Sequence, residues 1–129
     1  MREEQSYISL RLPWPPSTNK AWRRSGKHMH LAKASATYRL AVRSLVVAAK
    51  LPGLPIHGAL EITVTLSPPD NRRRDEDNFA GKALFDALTK AGVWGDDSQI
   101  RRKVVEWGDV VKGGCVVVEI APLGQTRRS

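Results

Sequence analysis

The chain is expected to fold as an α+β domain, a small mixed sheet with two packed helices in the order β-α-β-α-β-β. Three observations predict this. Residues Ala59 to Ser67, ALEITVTLS, alternate apolar and polar with a strict period of two, the mark of a half-buried strand. Two other segments repeat apolar residues at three- and four-residue spacing, which is helical. Two late runs, IRRKVVEWG and CVVVEIAP, are rich in β-branched residues. With 129 residues and 41% hydrophobic content, one domain with one core is expected over residues 1–129.

Taken in order, Tyr7 to Pro13 alternates Ile8, Leu10 and Leu12 with polar neighbours and reads as the first strand. The following WPPSTNKAWRRSGKHMH carries prolines and a glycine and reads as a loop. From about Lys33 to Lys50, a first helix would bury Ala34, Tyr38, Ala41, Val42, Leu45 and Ala49, stopping at LPG. Arg39, Arg43 and Lys50 fall on its other face, either solvated or touching phosphates. After the Ala59–Ser67 strand, a second helix would open at Asp77 or Asn78 and run to about Lys90, ending at Gly92. Its buried face would be Phe79 or Ala80, Ala83, Leu84, Ala87, Leu88 and Ala91. Ile100–Gly108 and Cys115–Pro122 are the last strands, and Lys112, Gly113 and Gly114 between them suggest an antiparallel hairpin. Residues 123–129 are expected to fray.

Lys and Arg total 21 against 13 Asp and Glu, a formal charge of +8. So large an excess on a small domain points to nucleic acid before an anionic membrane surface. No apolar run approaches the roughly 20 residues that span a bilayer. The first residues, MREEQSY, are too polar for a secretory signal. Cys115 is the only cysteine, so an internal disulfide is excluded, and no Cys/His cluster has zinc spacing. A reducing cytoplasm is expected.

Within this basic chain, PPDNRRRDEDNF places Arg72, Arg73 and Arg74 directly before Asp75 and Asp77. Asp75 and Asp77 are two apart, so in an extended segment both side chains share one face. There their oxygens can converge on a hard cation such as Mg²⁺. A second acidic pair, Asp96 and Asp97, follows the helix. Aspartates so placed suit metal-assisted phosphodiester cleavage, in which an ion neutralises the phosphate, activates water and stabilises the leaving oxygen. The plainer alternative makes Asp77 an N-cap and the other aspartates turn residues; the whole set beside three arginines in a +8 chain favours the cation. Lys82 either pairs with Asp86 one turn on or reaches the phosphate. In the first loop Asn19, Lys20, Arg23, Arg24 and Lys27 surround Trp22, a set suited to phosphate contact with base stacking; the alternative buries Trp22 and leaves the charges in water. His28 and His30 read as surface residues, Trp14, Trp94 and Trp107 as core, and Cys115 as a buried strand residue.

Three stretches, LPWPPSTNKAWR, DEDNFAGKALFDAL and AGVWGDDSQI, together with the ending VVKGGCVVVEI, resemble the RusA-type Holliday junction resolvases (crossover junction endodeoxyribonucleases). The match runs in the right order over most of the chain. The resemblance implies a homodimeric endonuclease requiring Mg²⁺ or Mn²⁺ that binds four-way DNA junctions and nicks two strands symmetrically. By position, it makes Asp75, Asp77 and Asp97 the essential carboxylates, with Asp96 in support, and Lys82 the functional lysine. Asn78 and the Arg72–Arg74 run join the first loop as expected DNA contacts. The family's lysine usually stands three residues after the asparagine, whereas here Gly81 makes it four. An extra residue inside a helix would rotate every later side chain by about 100°, so either the helix starts later or a bulge absorbs it.

An expected helix from Asn78 to Lys90 is about 20 Å long, which sets Asp77 and Asp97 at opposite ends. Either the return segment runs straight back along the helix, or Asp97 serves the partner subunit's site. Two symmetric nicks call for two symmetric sites, which a C₂ dimer supplies. A non-catalytic DNA-binding module is the main rival. A phosphotransferase fits less well, because its D-x-D motif would stand at the end of the first strand and its small substrates do not call for +8.

Overall fold

The structure, a computed structural model, describes residues 8–16, 25–75 and 79–124, with backbone only for 25–32. It contains β1 (Ile8–Pro13), α1 (Ser25–Ala49), β2 (Leu60–Ser67), α2 (Lys82–Lys90), a 3₁₀ turn (Asp97–Gln99), β3 (Ile100–Trp107) and β4 (Cys115–Pro122). The expected α+β class and element order hold. The strands form one mixed sheet in the order β1-β4-β2-β3.

β4 runs antiparallel to both β1 and β2, while β2 and β3 are parallel. Period-two alternation decides which face is buried. Leu10 stands beside Val118, which stands beside Val64, and Leu12, Val116 and Leu66 form the next row. These residues are all buried, as are Leu60, Ile62 and Ile120. Each such side chain contributes about 1.5–3 kcal/mol on leaving water. α1 and α2 pack on each other, and α1 also touches β1; most buried residues of helices and sheet form one cluster.

The expected hairpin between the last two strands does not form. β2 lies between β3 and β4, and residues 108–114 cross its end. Gly108 N–H donates to the Leu66 carbonyl (2.7 Å) and Val111 N–H to the Pro68 carbonyl (2.9 Å). The physical reason lies in the apolar pattern. β2 and β4 are alternately buried along their whole length and need a neighbour on each side, whereas β3 carries Arg101, Arg102 and Lys103 exposed, which suits an edge. Trp107, expected in the core, is 43% exposed for the same reason, as it ends an edge strand.

α1 begins at Ser25, earlier than expected, so residues 25–30 of the expected loop are helical. A single Gly26 near a helix end costs only about 1 kcal/mol, less than the gain from extending a helix already nucleated by residues 33–49. Its buried stripe is Tyr38, Val42 and Val46, spaced by four. Leu45, Ala49 and Ala34 from the expected face point outward, and Leu40 and Val47 are each 66% exposed. Burial pushes the Tyr38 phenol well above its usual range, and its hydroxyl donates to the Pro13 carbonyl at 2.7 Å, tying α1 to the end of β1. In α2, Leu84, Phe85, Ala87 and Leu88 are buried, close to the expected face. Leu123 and Gly124, at the start of the tail expected to fray, hydrogen-bond to the Ala59 carbonyl and the Glu61 carboxylate; residues 125–129 lie outside the described residues.

Candidate active site

Asp97 stands where the chain turns from α2 into β3. Thr89, on the last turn of α2, lies 2.5 Å from the Asp97 Oδ1 atom through its hydroxyl. Trp94 Nε1–H donates to Thr89 Oγ1 at 2.7 Å, with Asp97 Oδ1 further off at 3.4 Å. Trp94 is core, as expected, at 1% exposure, and its backbone pairs with Ile56 just ahead of β2. Asp97 itself is exposed. The result is a solvent-facing carboxylate fastened through a hydroxyl to a buried indole.

Asp96, next to it, is engaged differently. It is the N-cap of the 3₁₀ turn, and its carboxylate accepts from the Ser98 N–H (3.0 Å) and the Ser98 hydroxyl. The Ser98 hydroxyl, then the Ser98 N–H, hold the Asp96 carboxyl below its usual range. Gln99 completes the cap, its Oε1 accepting from Gly95 N–H (2.8 Å) and Asp96 N–H (3.0 Å). Its Nε2 donates to the Ile56 and Gly58 carbonyls at 2.9 Å each. This anchors the Asp96–Asp97 corner to the segment that enters β2.

The other acidic group lies at the opposite end of β2. Beyond Ser67, Arg74 turns inward, its side chain only 9% exposed. It donates to Asp70 Oδ1 at 2.7 Å and to the carbonyls of Asp70 and Arg72 at 3.0 Å each. Its guanidinium sits 5.8 Å from the Trp14 ring centroid, and Trp14 is 4.9 Å from Phe79. Arg72 pairs loosely with Asp70 at 3.5 Å, while Arg73 and Asp75 are exposed. The three arginines expected to face DNA thus divide, with Arg74 fixing the loop and Arg73 exposed. Asp70, which sequence reasoning missed, is held below the usual carboxylate range by the Arg72 N–H and then the Arg74 side chain. Asp77 and Asn78 lie outside the described residues, as do Asn19, Lys20, Arg23 and Arg24. Lys27 is in α1, with its side chain outside them.

Lys82 is exposed and is the first residue of α2, with Gly81 as N-cap. The additional residue therefore falls before the helix, and the helical face is not rotated. Of the two readings of Lys82, the pair with Asp86 does not form; Asp86 pairs with Arg39 at 3.7 Å. Asp97 lies by the last turn of α2, a helix of nine residues, about 13 Å at 1.5 Å per residue, whereas Arg74 lies by Trp14, which stacks on Phe79 ahead of the first turn. Sequence reasoning also missed Thr89, which reads as an ordinary helix residue, and the basic run of β3. There Lys103 Nζ lies 3.4 Å from the Ala80 carbonyl and 4.9 Å above the Phe85 ring.

Among the described residues no three His, Cys, Asp or Glu side chains converge as a metal site; Asp77 lies outside that set. The donors that are described fit a hard divalent cation in kind, since Asp75 and Asp97 are exposed carboxylates.

Comparison with known proteins gives a consistent result. Residues 13–121 match the family model described as Endodeoxyribonuclease RusA. Proteins named crossover junction endodeoxyribonuclease RusA from Shigella sonnei (strain Ss046) and Escherichia coli (strain K12) are each 40% identical over 117 residues, covering 90% of this chain and 95% of theirs. Their namesake from Enterobacteria phage 82 is 39% identical over 116 residues, 89% of this chain and 94% of its own. Both the matched span and the identity over nearly the whole length place this chain in the RusA endodeoxyribonuclease family.

Proposed function

We propose that the protein is a structure-selective endodeoxyribonuclease that resolves Holliday junctions in DNA recombination and repair, acting as a homodimer with Mg²⁺ in the cytoplasm. The observation that carries this reading is 40% identity to crossover junction endodeoxyribonucleases across 90% of the chain, with both acidic motifs inside the matched span. The charge of +8 suits a phosphate backbone. Among the described residues no helix is long and apolar enough to cross a membrane.

In this reading Asp75, Asp77 and Asp97 hold the divalent ion, which Mn²⁺ can replace. The ion supplies charge neutralisation at the scissile phosphate and activation of the attacking water. Lys82, exposed at the start of α2, offsets charge on the phosphate. Arg72, Arg73, Asn78 and the first-loop residues Asn19, Lys20, Arg23, Arg24 and Lys27 grip flanking phosphates and orient the strand. Arg74 belongs to that set from within the loop, where it also bonds Asp70 and two carbonyls, and Asp96 supports the metal carboxylates from the corner it caps. Support for a site shared between subunits comes from the placement of Asp97 at one end of α2 and Asp75 at the other. A symmetric partner would set one chain's Asp97 beside the other's Asp75.

The test uses a labelled four-way junction. Asp75→Asn and Asp97→Asn chains are each expected to lose cleavage by several orders of magnitude while binding the junction at least as tightly as wild type. EDTA should do the same to wild type. Mixing the two variants should recover cleavage, because mixed dimers hold one intact shared site. Normal cutting by either variant alone would remove the site assignment, and no recovery on mixing would return the site to a single chain.

A further inference from the structure

We propose that Thr89, backed by the Trp94 indole, is a positioning residue that orients Asp97 for the divalent ion; the inference rests on the nuclease reading above. A threonine hydroxyl has one proton to give and can accept two. Thr89 Oγ1 has two acceptors in reach, the Phe85 carbonyl at 2.9 Å and Asp97 Oδ1 at 2.5 Å. Bonding back to the carbonyl four residues earlier is the ordinary habit of a helical threonine. Here the carboxylate is both closer and charged, and charge-assisted bonds are roughly twice as strong as neutral ones. The proton therefore goes to Asp97.

The donor behind Thr89 settles the direction of the relay. Trp94 Nε1 can only donate, and it lies 2.7 Å from Thr89 Oγ1 but 3.4 Å from Asp97 Oδ1. Hydrogen-bond direction thus runs from indole to hydroxyl to carboxylate. Trp94 is buried in the core cluster with the Phe85 ring 6.3 Å away and its backbone bridged to Ile56, which holds the indole in place. One oxygen of the exposed Asp97 is thereby fixed to the core through two bonds. Free rotation of an exposed aspartate would otherwise be lost on ion binding, at a cost in affinity. Partners behind a ligating carboxylate typically change metal affinity by about 10- to 100-fold when removed.

Thr89→Val removes the hydroxyl at nearly constant shape, Thr89→Ser retains it, and Trp94→Phe removes the N–H while keeping a ring. Mn²⁺ binding to the full-length protein without DNA is measured by calorimetry, alongside melting temperature, junction binding in EDTA and the Mn²⁺ dependence of cleavage. The expected result for Thr89→Val is a rise in the Mn²⁺ dissociation constant of about 10-fold or more, with junction binding unchanged and cleavage restored by excess Mn²⁺. Thr89→Ser should return to wild type, and Trp94→Phe should shift affinity in the same direction by less. If Thr89→Val proves unfolded, the Ser and Phe variants decide on the same scale. Wild-type Mn²⁺ affinity in folded Thr89→Val, or in Trp94→Phe, overturns the positioning role alone. A wild-type chain that takes up no Mn²⁺ and cuts no junction overturns the nuclease reading together with it.

Discussion

Asp70 and Arg74 show how one pair of side chains can shape a loop that sequence reading assigns wholly to the ligand. Arg74 holds its guanidinium over the Trp14 ring and satisfies two carbonyls of the turn after β2, groups that would otherwise need water or another donor. Arg74→Ala is expected to lower stability by about 1–2 kcal/mol, read as a fall in melting temperature. Arg73→Ala should leave melting unchanged and reduce the salt slope of junction binding by about 0.9. Asp70 and Asp96 also carry a pH signature. Both carboxyls are held low in the folded chain. Their contribution is therefore present above the unfolded value of about 3.9 and is lost as pH falls through the lower folded values. Comparing melting of wild type and Asp70→Asn should show a wild-type advantage at about pH 6 that vanishes as the pH drops below about 4.

At the scale of elements, the crossing from β3 to β4 depends on Gly108. A Cβ there would lie 2.7 Å from Ser67 Oγ and 2.9 Å from Thr65 Cγ2, because the chain passes directly over β2. Gly108→Ala is expected to destabilise by about 1–3 kcal/mol, measured by urea titration. Gly114 is similarly constrained, with φ +75 and both Trp14 and Pro69 at 3.0 Å from an added Cβ. In α2, Leu88 is fully buried, so Leu88→Ala should remove about 2–5 kcal/mol. Because α2 also carries Thr89, that variant is further expected to weaken the hold on Asp97.

Across the whole molecule, the parallel pairing of β2 with β3 has a functional consequence. A parallel neighbour requires the intervening α2 to carry the chain back to the start of β2. That return sets the Asp97 corner beside Ile56 and Gly58, a full strand length from the Asp70–Asp75 loop. β2 has eight residues, about 26 Å at 3.3 Å each. Arg101, Arg102 and Lys103 follow directly after the Asp97 turn on the exposed edge strand, so positive charge flanks that carboxylate as Arg72 and Arg73 flank Asp75. Changing Arg101 and Arg102 together to Ala should lower the salt slope of junction binding by up to about 2, with secondary structure retained by circular dichroism.

By itself the sequence determined the fold class, the strands around Leu10, Val64 and Val118, the family, and the carboxylates to test. Each of these is local, written in a period of two or four or in a short run of adjacent residues. Only the tertiary structure decided that β2 separates β3 from β4, that Val46 rather than Leu45 faces the core, and that Arg74 turns inward. It alone joined Thr89 to Asp97 across an intervening loop. Strand order and side-chain partnership arise from contacts between residues distant in the chain, and local periodicity carries no record of which distant neighbour a face will meet.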